Sequence, residues 1–158
     1  MSSREKGKDH MNWTTLLRFR KQVEELAREE VVLAEWEKSQ AVSKRDELIV
    51  EMNAVASELE QRIRVGIDNM IAEQRYQWLD RIGSAMELHT QRIQEMDNRL
   101  VGLRHKLKKA HHARRVVELV IAKKEEEVMQ KVAAQEQRLQ EDVSAHAYAT
   151  YHPEENSQ

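Results

Sequence analysis

The stretch LDRIGSAMELHTQRIQEMDNRLVGLRHKLKKAHHARRVVELVIAKKEEEV, Leu79–Val128, decides the fold. Steps of seven from Leu79 meet Met86, Ile93, Leu100, Leu107, Arg114, Ile121 and Val128. A second lane from Ile82 meets His89, Met96, Leu103, Ala110, Val117 and Lys124. Twelve of these fifteen positions are apolar, and the two lanes alternate at three and four. A half-buried strand alternates at two, so the stretch reads as a heptad seam on one long helix. Beyond Val128, the residues Val132, Leu139 and Val143 continue on a displaced lane, which reads as a stutter or a freed end.

Upstream, a weaker seam repeats the pattern. Ala27, Ala34, Ala41, Leu48 and Val55 recur by seven, flanked by Val23, Val31, Met52 and Leu59. Lys38 and Arg45 interrupt the flanking lane, so packing is expected to loosen around the middle of this segment. Asp9 or Asn12 is a candidate cap for its start. The pattern breaks at Gly66-Ile67-Asp68-Asn69, the best place for a reversal. Two helical segments joined by a short connection usually fold back on each other. The expectation is an all-α chain forming a long antiparallel two-helix coiled-coil hairpin with disordered ends. Helix one is expected over about 12–65, the turn over 66–72 and helix two over 73–147. The lead 1–11 and the tail 148–158 are expected to be disordered, and Met11 is a second candidate start. Arg114 would face Glu24 and Glu25, and helix two would outrun helix one by about 30 Å.

Composition narrows the alternatives. Of 158 residues, 34% are charged and only 40% apolar, with a net charge of −2, so a narrow seam is affordable but a wide core is not. Four glycines and one proline exclude most turn-rich β folds. The absence of cysteine excludes disulfides, thiolate metal sites and a cysteine nucleophile. The longest apolar patch, Val116–Ala122, is interrupted by Glu118 and is too short to cross a bilayer. Met1–Lys6 lacks the apolar run of a secretory signal. These features lead to the expectation of a soluble cytoplasmic protein.

Little in the chain points to catalysis. Seven histidines are the candidates for acid–base or metal chemistry. His111 and His112 point about 100° apart on a helix, His105 and His112 are separated by two turns, and no HExxH spacing occurs. No glycine-rich phosphate loop is present. The chain is therefore expected to be no enzyme, with no catalytic residue, cofactor or metal. The run Arg104–Arg115 holds six Lys or Arg and three His, with no acid between Asp97 and Glu118. It lacks the interleaved aromatics of a nucleic-acid surface, so its expected partner is an acidic protein surface or the acidic stretch Glu24–Glu30, not nucleic acid. Trp36 lies off the lanes and is expected to be exposed. Trp78, Ile82, Ala85 and His89 form a stripe at i, i+4, i+7 and i+11, either the edge of the core or a docking face.

The opening LLRFRKQVEELAREEVVLAE (Leu16–Glu35) and the segment YQWLDRIGSAMELH (Tyr76–His89) resemble the FliJ family of flagellar type III export proteins. The resemblance covers nearly all of 13–143. It implies a hairpin similar to the stalk of rotary ATPases, whose terminal end enters the central hole of the hexameric export ATPase and promotes ring assembly and hydrolysis. It also implies binding to the cytoplasmic domain of the export gate and a part in export-chaperone cycling. Membrane association would then be peripheral, at the flagellar base and through partners, with the protein monomeric by itself. The family's gate-binding stripe carries over to Trp78, Ile82, Ala85 and His89. Its companion falls on Lys44, Leu48, Glu51 and Val55, where Leu48 fits but Glu51 and Val55 replace aromatics. Leu16, Leu17, Arg18, Arg20, Arg114 and Arg115 are the expected ATPase contacts, facing acidic loops of the pore. An injectisome stalk of the same shape is an alternative, as is a parallel coiled-coil tether.

Overall fold

In the computed structural model the chain is described from Ser3 to Tyr151, with side chains from Asn12 onward. It contains two long helices, α1 (Ser3–Val65) and α2 (Asn69–Tyr151), which pack against each other; the described residues include no strand. Two packing units are formed, Arg20–His112 and Met1–Phe19 with Ala113–Gln158.

The connection is shorter than the sequence pattern predicts, only 66–68, because both helix ends are capped locally. Gly66 ends α1 at φ +99°, a left-handed conformation that favours glycine, and its N–H donates to the Ile63 carbonyl at 3.3 Å. Arg62 and Arg64 occupy the last turn, where cations favour the negative end of the helix dipole. Asp68 then starts α2. Its carboxylate accepts from the Met70 N–H at 2.9 Å, and its carbonyl accepts from the Ala72 N–H at 3.0 Å. That cap moves the start of α2 from the expected 73 to Asn69.

At the chain ends the helices are longer than expected. The lead predicted to be disordered is helical from Ser3, so neither Asp9 nor Asn12 caps α1. Arg4, Glu5, Lys6 and Lys8 tolerate a helix, and only Gly7 opposes it strongly. The predicted disordered tail is helical through Tyr151, where Ala145, Ala147 and Ala149 favour the helix until Pro153 approaches. The remainder of that tail, 152–158, and the first two residues lie outside the described part.

Within Arg20–His112 both heptad lanes face inward. Ala27, Val31, Ala34, Ala41 and Leu59 of α1 are buried, as are Ile82, Met96, Leu100 and Ala110 of α2. Small residues on α1 stand opposite large ones on α2: Val31 and Ala34 cluster with Leu100, and Leu103 and Leu107 pack around them. Alternating small and large side chains lets two helices interdigitate closely. Burial of a leucine such as Leu100 contributes about 1.5–3 kcal/mol. From Arg45 to Val55 the lane residues are only half-buried, in keeping with the looser middle that Lys38 and Arg45 predict. Lys38 nevertheless reaches Asp97 at 2.6 Å.

Cross-helix ion pairs flank this seam. Glu30 pairs with Lys106 at 2.8 Å, Glu35 with Arg104 at 2.9 Å, and Glu58 with Arg75 at 3.4 Å. Glu37 lies 3.8 Å from both Arg92 and Arg99. Each is half-exposed and contributes about 0–1 kcal/mol, so these pairs set register more than stability.

In the unit formed by the two chain ends, Val117 is buried and Ile121 half-buried. Lys124, a member of the predicted second lane, places its ammonium 4.9 Å from the Trp13 ring centroid. From Ala122 to Tyr151 every residue is exposed, including Val128, Val132, Leu139 and Val143. The displaced lane is thus an unburied helix end within this unit. No helix among the described residues is long and apolar enough to cross a membrane.

Candidate interaction surfaces

A coiled-coil seam consumes its apolar side chains, so any site has to be built from the residues on its flanks. The four-residue stripe predicted to dock a partner divides accordingly. Ile82 lies on a seam lane and is only 4% exposed, while Trp78, one position off the lane, is 43% exposed. Ala85 and His89 are half-buried, as is Leu48 on α1. Trp78 is therefore the side chain of this stripe that reaches solvent most fully, and Ile82 fixes the helix beneath it. Trp36 is 59% exposed, as its off-lane position predicts.

Of the predicted ATPase contacts, Leu16, Leu17, Arg18, Arg114 and Arg115 belong to the unit formed by the chain ends, and Arg20 to the other. Leu16 and Leu17 are half-buried and Arg18 is exposed. Arg114 and Arg115 converge on Glu118. Arg114 donates to one carboxylate oxygen at 2.6 Å and Arg115 lies 3.3 Å from the other. The Arg114 hydrogen bond holds the Glu118 carboxyl below the usual carboxylate range; partial burial opposes this, and Arg115 adds to the lowering. Arg114 is largely covered while Arg115 remains exposed, so Arg115 and Arg18 are the charges of this set that a partner meets first.

The periodicity does not reveal the role of Glu24. This carboxylate occupies a seam position and its side chain is only 7% exposed. His111 donates to it from Nδ1 at 2.9 Å, across the helices, and the Arg28 guanidinium lies 3.7 Å away. An open groove beside it is lined by Glu24, Arg28, Arg104, Leu107, Lys108 and His111. The predicted link between the basic run and Glu24–Glu30 takes the form of His111 with Glu24 and Lys106 with Glu30. A seven-residue step from Val31 back to Glu24 is the signal that could have found it. His111 and His112 meet edge to face with ring centroids 6.1 Å apart. Among the described residues no group of three or more His, Asp or Glu is placed to hold a metal.

Comparison with protein-family models, curated proteins and solved structures finds no match.

Proposed function

We propose that this chain is an antiparallel two-helix coiled-coil hairpin that serves as the non-enzymatic stalk of a flagellar type III export ATPase. The order of the ion pairs carries this reading: Glu24 with His111, Glu30 with Lys106, Glu35 with Arg104, Lys38 with Asp97 and Glu58 with Arg75. Partners ascend one helix as they descend the other, and the seam between them is closed within one chain. A self-closed seam supports a monomeric shaft over a parallel tether, which needs a second chain to cover its lanes.

The unit bearing both chain ends enters the centre of the ATPase ring and promotes ring assembly and hydrolysis, with Leu16, Leu17, Arg18, Arg114 and Arg115 at the contact. Weak, exposed charge contacts suit a shaft that must exchange partners around a ring. The edge of the other unit, with Trp78 outermost above Ile82, Ala85 and His89 and with Leu48 on α1, meets the export gate. Export-chaperone cycling follows from the same position between ATPase and gate. The protein is cytoplasmic and reaches the inner membrane only through these partners.

The test is to mix the chain with the export ATPase and measure hydrolysis and hexamer formation. The wild-type chain should stimulate both. The double variant Arg18→Ala/Arg115→Ala should lose most of the stimulation while circular dichroism stays helical. No stimulation by the wild-type chain overturns the function, and full stimulation by the double variant removes the contact assignment.

A further inference from the structure

The basic run on α2 separates into two sets once its partners are known. Arg104, Lys106 and His111 are engaged by Glu35, Glu30 and Glu24 of α1, and Arg114 and Arg115 by Glu118 of α2. His105, Lys108, Lys109 and His112 have no acidic partner among the described residues, and all four are exposed. Their spacing of i, i+3, i+4 and i+7 puts them on one face of the helix. Val101, one turn before His105 and 71% exposed, continues the stripe with an apolar side chain. No acid on α2 interrupts it, since none occurs between Asp97 and Glu118.

We propose that Val101, His105, Lys108, Lys109 and His112 form a docking face for an acidic helical segment of a partner protein. The stripe is about 16 Å long, about three helical turns. A partner helix with carboxylates repeating at three and four residues can pair with Lys108 and Lys109 and accept hydrogen bonds from the His105 and His112 rings, and an apolar residue on that helix covers Val101. A nucleic-acid strand would leave its bases without an aromatic platform, because the stripe contains no aromatic ring beyond the two imidazoles. This face contains none of the residues assigned to the ATPase or the gate. Its test uses neither of them, so it fails or stands apart from the stalk reading.

The experiment titrates the full chain into a fluorescein-labelled peptide of repeating Glu-Glu-Ala-Leu units and follows anisotropy at low and high salt. Saturable binding that weakens with salt is expected. Lys108→Glu/Lys109→Glu should weaken it about tenfold or more. Lys123→Glu/Lys131→Glu makes the same change in net charge on exposed positions elsewhere and should bind like the wild type. If the first variant loses helicity, Lys108→Gln/Lys109→Gln replaces it with the same expectation. Absence of binding, or equal loss in the two glutamate variants, overturns the proposal. Tighter binding of single-stranded DNA of equal charge overturns it in favour of nucleic acid. A dimer of the chain alone that the Lys108/Lys109 substitutions abolish overturns it in favour of a second copy.

Discussion

Glu24 shows how much one side chain can reorganise a seam. It occupies a lane position where an aliphatic residue would bury more apolar area, yet it accepts from His111 at 2.9 Å and sits near Arg28. Glu24→Gln weakens these charge-assisted contacts while leaving a polar group buried, and should cost about 1–2 kcal/mol in urea unfolding. Glu24→Leu should recover that loss, because His111 and Arg28 are each more than half exposed and can turn to water. A Leu variant as unstable as the Gln variant would mean the carboxylate is needed for more than filling its place. Glu118 adds a pH dependence of known sign. Its pKa is lowered in the fold, chiefly by the Arg114 hydrogen bond, so its contribution is complete above the ordinary carboxylate range and fades as pH falls through the lowered value. Acid titration followed by circular dichroism should therefore show a shallower loss of stability for Glu118→Gln than for the wild type. At this scale the sequence was only partly legible: it placed Arg114 in the lane and expected it to face Glu24 and Glu25, but the hydrogen bond to Glu118 depends on which rotamer the packed helix permits.

The helices and their connection follow from local rules that predict opposite effects for different glycines. Gly66 adopts φ +99°, and a Cβ there would meet no atom within 4 Å. The cost of Gly66→Ala is therefore conformational alone, about 1 kcal/mol. Gly83 and Gly102 lie inside α2, also with nothing within 4 Å of an added Cβ. Gly83→Ala and Gly102→Ala should each raise stability by about 0.5–1 kcal/mol. Thermal unfolding of the three variants would check the signs together; a stabilising Gly66→Ala would contradict the capping role. Helix identity was readable from the three–four alternation, and the place where one helix ends and the next begins from the break at Gly66. The boundaries were not, because caps and end propensities act residue by residue: Asp68 shortened the turn, and a tolerant polar lead let α1 begin at Ser3.

Across the molecule, Trp78 is the large aromatic at the edge of a seam whose neighbouring lane residue, Ile82, is buried. Trp78→Ala removes exposed area and leaves the lane intact, so under the proposed stalk function a pull-down should lose the export gate's cytoplasmic domain while helicity is kept. Undiminished capture by a folded variant would take Trp78 out of the gate contact. The closed seam also predicts a monomer in sedimentation at concentrations where an open lane would pair. Amino-acid order alone determined the all-helical class, the two lanes and the break between them, because heptad spacing is a property of side-chain identity along one helix. Only tertiary packing decided which basic residues are engaged and which remain open, because that depends on the carboxylates the opposite helix brings within reach. The same packing left Trp78 in solvent while burying Ile82 four residues on.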